Sequence, residues 1–108
     1  MVRKMTDPER GMILALIRGK DGEERWAESL TRAFVEEMED GGMGSLRIVW
    51  PGEHTERHFG WIVAEQTFLD SDGVEISVAV NVDKQGDLFE LDMWKVDFSP
   101  LKKFSAVG

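Results

Sequence analysis

At 108 residues, 42% of them hydrophobic and 31% charged, the chain is long enough for one domain around one core and too apolar for disorder. Its 13 Lys and Arg face 21 Asp and Glu, a formal charge of -8 that repels nucleic-acid phosphates, so no nucleic-acid partner is expected. With no Cys, the chain excludes disulfides, thiolate metal sites and a Cys nucleophile, and the cytoplasm is the simplest compartment.

The opening MVRKMTDPERGM has basic residues but no apolar stretch before Pro8, and the apolar run over 12–17 is too short to span a bilayer. Neither a secretion signal nor a membrane contact is expected. Thr6-Asp7-Pro8-Glu9 reads as a capping box, in which the Thr6 hydroxyl and the Glu9 carboxylate satisfy orphan amides at a helix start and Pro8 sits in the first turn. Met12, Ile13, Leu16 and Ile17 then share one helical stripe, predicting a helix over 7–18 that Gly19 and Asp21-Gly22 end. A second helix is expected over 23–32, with Trp26, Leu30, Ala33 and Phe34 as an inward stripe. Residues 34–39 fit both the end of that helix and a strand.

Asp40-Gly41-Gly42-Met43-Gly44 reads as a turn, 46–50 as a strand, and Pro51-Gly52 as its stop. The segment 52–58 is the expected mobile loop. Residues 59–69 form a longer strand candidate, Ser71-Asp72-Gly73 a turn, and 74–82 a strand with Val74, Ile76, Val78, Val80 and Val82 on one face. Asp83-Lys84-Gln85-Gly86 is a hairpin connection to a last strand. Turns this short permit only antiparallel pairing. The expected fold is one α+β domain over 1–108, with the two N-terminal helices packed on one face of an antiparallel β-meander of about five strands.

In the last strand Phe89, Leu91 and Met93 alternate with Leu88, Glu90 and Asp92, after which Trp94, Val96 and Phe98 continue on the opposite parity. One regular strand cannot bury both sets on one face. The pattern therefore predicts a β-bulge or bend near Met93-Trp94, or a strand covered on both faces, with Phe89, Leu91 and Trp94 all buried.

Glu90, Asp92 and Asp97 can be read as a carboxylate cluster for a hard cation or for acid–base work, but alternation alone also places Glu90 and Asp92 on a solvated sheet face, which is the preferred reading. Asp97-Phe98-Ser99-Pro100 is read as a structural turn. His54 and His58 flank Glu56 at zinc-like spacing, yet without the H-E-x-x-H order or a helical context, so no metal or other cofactor is expected. The GGMG glycines lack the Lys-Ser or Lys-Thr of a phosphate loop, and Ser29, Ser45, Ser71, Ser77, Ser99 and Ser105 occur in no nucleophile-elbow context. Among the four tryptophans, Trp26, Trp50, Trp61 and Trp94, the pair flanking the loop, Trp50 and Trp61, is expected to be exposed. With Glu90 and Asp92 these two make the candidate interaction surface.

The tail from Gly86 to Leu101, GDLFELDMWKVDFSPL, resembles the ending of a family of small, uncharacterised bacterial domains, and Glu37 to Leu46, EMEDGGMGSL, resembles a second motif of that family. The tail is also similar to endings of immunity-like proteins that accompany bacterial toxins. The resemblance implies no activity and no catalytic residue, but it favours the strand over 34–39, because the glycine turn then joins two strands. The functional expectation is a non-enzymatic, cytoplasmic domain that binds another protein, immunity-like or regulatory, as a monomer or as a homodimer through a strand edge. The alternative is a small-molecule or metal-dependent enzyme using Asp92, Asp97, His54 or His58.

Overall fold

A computed structural model describes residues 1–52 and 56–102. The chain runs β1 (Val2–Lys4), α1 (Asp7–Ile17), α2 (Glu23–Leu30), β2 (Phe34–Glu37), β3 (Leu46–Val49), β4 (Phe59–Leu69), β5 (Glu75–Asp83) and β6 (Leu88–Lys95). The α+β class, the two N-terminal helices and the antiparallel sheet are as expected, with six strands instead of about five. The added strand is β1, three residues with no apolar alternation of their own, which pairs Val2 with Glu36, Arg3 with Val35 and Lys4 with Phe34.

Helix α1 starts on the expected capping box. The Glu9 amide donates to the Thr6 hydroxyl at 3.3 Å, and the Glu9 carboxylate accepts from the Thr6 amide at 2.9 Å. The same carboxylate receives both guanidinium arms of Arg3, at 2.9 and 2.7 Å, so the buried Glu9 ties β1 to the helix start. Helix α2 is pinned at its other side. The Trp26 indole N–H and the Arg25 guanidinium both donate to the Gly86 carbonyl, at 2.8 and 2.6 Å, which fastens the helix to the β5–β6 turn.

The strand order is β1-β2-β3-β6-β5-β4, with every pair antiparallel. Two three-stranded meanders are thus joined through β3 and β6, where a single meander would have set β4 beside β3. Burial explains the choice. β6 presents buried residues on both faces and takes a central place, whereas β4 carries the exposed Glu65-Gln66-Thr67 and takes the edge. The connection from Val49 to Phe59 spans the gap, and the middle of the expected mobile loop, residues 53–55, lies outside the described residues.

Met12, Ile13, Leu16, Ile17, Trp26 and Leu30 from the helices close over Val35, Leu46, Ile48, Ile76, Val78, Val80, Val82, Leu88, Leu91 and Met93 from the sheet. Each large aliphatic side chain so buried contributes about 1.5–3 kcal/mol. Among the described residues no helix lies on the opposite sheet face.

The parity change in β6 occurs, but earlier than the pattern suggested. Asn81 pairs with Glu90 and Val82 with Leu88, so Phe89 is the extra residue of a bulge. Leu88 and Leu91 both enter the core, while Phe89 and Glu90 both lie on the far side. Beyond the bulge alternation is strict: Leu91, Met93 and Lys95 face the helices, and Glu90, Asp92 and Trp94 face away. Phe89 and Leu91 are buried as expected, but Trp94 is 51% exposed and the expected bulge at Met93-Trp94 is absent.

Candidate functional site

Two regions qualify as candidates, an open sheet face and a cleft at the end of the sheet. Directly paired residues share a face, so the uncovered side carries the row Glu36, Arg47, Glu90, Asn81, then Asp92, Ala79, Glu65, then Trp94, Ser77, Thr67. Glu90 accepts from the Arg47 guanidinium at 2.6 and 3.2 Å and is largely covered. Asp92 accepts from the Asn81 side-chain amide at 3.0 Å; its burial first, and the neighbouring Glu90 charge second, push its carboxyl above the usual range. The Asn81 side-chain oxygen is buried and has no hydrogen-bond partner in the described structure.

At the end of this face the chain turns sharply. Phe98 holds φ at 63°, the left-handed region that a bulky side chain enters at a cost of about 1–3 kcal/mol. The turn is closed by the Phe98 amide donating to the Lys95 carbonyl at 2.9 Å and by Asp97, whose carboxylate accepts from the Ser99 hydroxyl at 2.6 Å and amide at 3.0 Å. Those two bonds, the hydroxyl's first, hold the Asp97 carboxyl below its usual range. The turn brings Phe98, 68% exposed, onto Trp94, with ring centroids 5.8 Å apart and planes at 52°.

The cleft, of about 770 Å³, is lined among others by Trp50, Arg57, His58, Asp83 and Lys84. The Arg57–Asp83 part of its polar wall is already engaged. Arg57 donates to Asp83 at 2.8 Å, to the Ile48 carbonyl at 2.7 Å and to the Leu88 carbonyl, and its guanidinium lies 5.2 Å from the Trp50 ring and 5.0 Å from the Phe89 ring. Asp83 also accepts the Gln85 and Asp87 amides at 2.9 and 3.0 Å. Burial pushes its carboxyl up, but Arg57 and the two amides together outweigh this and leave it below the usual range, a poor proton acceptor. Trp50 is half-buried, with its indole N–H on the Ser29 carbonyl at 2.9 Å.

Of the residues expected to form an interaction surface or an enzyme site, Trp50 and His58 line the cleft, and Glu90 and Asp92 lie on the sheet face. Asp97 belongs to the tail turn. Trp61 is 50% exposed on the β4 edge, and His54 lies outside the described residues. Asp92, Asp97 and His58 therefore do not converge on the cleft, and the described residues contain no group of three His, Asp or Glu side chains suited to a metal ion. The exposed tryptophan at the tail is the one the pattern placed in the core.

Residues 2–105 match a protein family described as a domain of unknown function, DUF6984. The chain belongs to that family. No curated protein and no solved structure matches it. Within this DUF6984 domain no helix among the described residues is long and apolar enough to cross a membrane.

The residue that the sequence reading missed in this DUF6984 domain is Lys95. It is fully buried, with its ammonium 2.8 Å from Asp70, 2.5 Å from Asp72 and 3.2 Å from the Pro100 carbonyl. Burial favours the neutral amine, yet the hydrogen bonds to Asp70 and Asp72 prevail and raise the pKa above the ordinary lysine value. Asp70 further accepts the Lys102 amide at 2.7 Å, so the cluster clamps the tail turn against the β4–β5 turn. A signal existed, because Lys95 continues the inward parity of Leu91 and Met93. Arg57 had none: it sits in the expected loop, and only the folded chain brings it to Asp83.

Proposed function

We propose that the chain is a protein-binding domain that docks a basic partner on the sheet face its helices leave uncovered. The observation that carries this reading is the contiguous exposed cluster of Trp94 and Phe98, with Val96 and Leu69 beside it, on a face whose β4–β6 section bears Glu65, Glu75, Glu90 and Asp92 and no free cation among the described residues. Aromatic anchors in an apolar patch are the commonest source of binding energy at interfaces, and a surface of one sign steers an oppositely charged partner. The chain's charge of -8 acts in the same direction.

The test compares the wild-type chain with a Trp94→Ser/Phe98→Ser double variant, both immobilised and exposed to the same native lysate. A basic protein held by the wild type, released by salt and absent from the variant, is the expected result. A partner held equally by both chains overturns the reading. Neutralisation of a toxin is a narrower form of this function, supported by the similarity of the tail alone, and co-expression with a neighbouring toxin gene checks it.

A second copy of the chain is the rival occupant, because β4 is an edge strand with Phe59, Trp61, Ile62 and Leu69 exposed. Two register shifts, between Phe59 and Trp61 and between Ile62 and Ala64, bend that edge and leave 64–69 as its regular part. Gly60 allows the bend, since a side chain there would strike the Asp83 carbonyl. Sedimentation at several concentrations separates the two: a monomer throughout favours the basic partner.

A further inference from the structure

We infer that the Trp94–Phe98 corner is a receptor for one cationic side chain of the partner, an arginine, held against the two ring faces and matched by the carboxylates around them. This rests on the docking reading above and goes further, because it assigns the chemical group that the patch recognises.

Three observations converge on the corner. The first is its shape. Two rings in contact at 52°, both more than half exposed, offer paired aromatic surface to solvent, and a guanidinium is attracted to a ring face by its quadrupole. Planar, weakly hydrated arginine stacks on such faces better than lysine does.

The second is charge. Asp92 precedes Trp94 by two residues on the same face, and the Val96 amide donates to the Glu75 carbonyl at 3.0 Å, which sets Glu75 one row from Trp94 on the adjacent strand. Neither Glu75 nor Glu65 has a side-chain hydrogen bond or ion pair among the described residues. Lys95, the nearest cation in sequence, points to the opposite face and is neutralised by Asp70 and Asp72. An incoming cation therefore meets the unpaired Glu75 and Glu65 on a face whose Arg47 is already paired with Glu90.

The third is the way the corner is built. An exposed turn position at positive φ ordinarily holds Gly or Asn, so a phenylalanine there is maintained against the backbone's preference. The turn is anchored from below by Lys95, whose ammonium reaches the Pro100 carbonyl, and from within by Asp97. The Leu101 amide donates to the Gly42 carbonyl at 2.9 Å, fixing the far end. Such anchoring presents Phe98 beside Trp94 before any ligand arrives, so little ordering remains for binding to supply.

The experiment titrates the full chain with capped, glycine-flanked peptides containing one arginine, or citrulline as its neutral isostere. The indole N–H resonances of the four tryptophans are followed by NMR, and a Trp94→Leu variant assigns the resonance of interest. The arginine peptide is expected to shift the Trp94 resonance and the Phe98 ring, citrulline to bind about fivefold more weakly, and added salt to weaken only the arginine complex. In Trp94→Leu the Phe98 ring should no longer shift, in Phe98→Asn the Trp94 resonance should no longer shift, and Glu75→Gln should reduce both responses. Phe98→Asn must lose the Trp94 shift without lowering Tm, a split that a merely structural phenylalanine would not give. Equal binding of arginine and citrulline, or an undiminished response in Trp94→Leu, overturns the inference and leaves the docking surface intact. No shift of Trp94 by the arginine peptide overturns it as well, and the partner-capture experiment then decides the docking surface independently.

Discussion

The two ends of β6 are each held by a buried or half-buried cation, and they are held differently. At its start Arg57 lies across the Leu88–Phe89 bulge, sandwiched by Trp50 and Phe89 and donating to two carbonyls and Asp83. At its end Lys95 disappears entirely beneath the sheet, with Asp70 and Asp72 as its counter-charges. A planar guanidinium can stack and fork while one edge stays hydrated, whereas an ammonium is a point charge that tolerates burial only inside a cage of oxygens. The first arrangement staples a connection that has no strand of its own. The second clamps the turn that displays Trp94 and Phe98. Both convert local charge into a fixed chain path, and the lysine end borders the exposed Trp94–Phe98 pair.

Removing one counter-charge at the lysine end should do the most damage. Asp70→Ala leaves Lys95 with one carboxylate and frees the Lys102 amide, and is expected to cost about 3–5 kcal/mol, read as a fall in the urea midpoint. If the loss is instead within experimental error, the lysine cluster is not what holds the tail. Arg57→Lys keeps the charge but gives up stacking and the forked contacts to the Ile48 and Leu88 carbonyls, and should cost about 2 kcal/mol. An effect equal to that of Asp70→Ala would erase the contrast between the two ends.

The pH dependence sharpens the comparison further. Glu9, Asp72 and Asp83 have pKa values below the ordinary range, so each contributes stability that is complete above its unfolded-state pKa and is lost as pH falls through its folded-state pKa. Asp92 has the opposite sign. Its folded-state pKa is raised, so its charged form opposes folding at neutral pH, and protonation on acidification relieves that penalty. Asp92→Asn is therefore expected to raise Tm modestly at pH 7 while keeping an acceptor for Asn81, with the difference shrinking as pH drops through the carboxylate range. Thermal melts across pH 3–7 check this, and a variant less stable than wild type at neutral pH would contradict it. Phe98→Asn should be the smallest of the four, with Tm unchanged or slightly higher because Asn tolerates positive φ, and with the exposed patch lost.

Much of the fold was legible because local rules and tertiary contacts agree. Thr6 and Glu9 form the capping box their spacing implies, Met12, Ile13, Leu16 and Ile17 face the sheet, and Ile76, Val78, Val80 and Val82 line the core in strict alternation. The candidate surface was less legible. The apolar pattern places Trp94 in the core, but it is 51% exposed, and Lys95, for which the sequence suggests no role, is fully buried in its place. The reversal has one cause. No bulge falls at Met93-Trp94, so the residues after Leu91 keep strict alternation whatever their polarity. Trp50, expected to be exposed, is instead turned toward the Ser29 carbonyl and Arg57.

By itself the sequence determined the class of the fold, the two helices and the antiparallel sheet, because periodicity, capping residues and glycine turns act over a few neighbouring positions. Tertiary structure alone decided that β6 lies between β3 and β5, that Arg57 meets Asp83, and that Lys95 finds Asp70 and Asp72. These are pairings between residues distant along the chain. The free energy of a buried cation or a central strand depends on which partners reach it, and no local pattern encodes that.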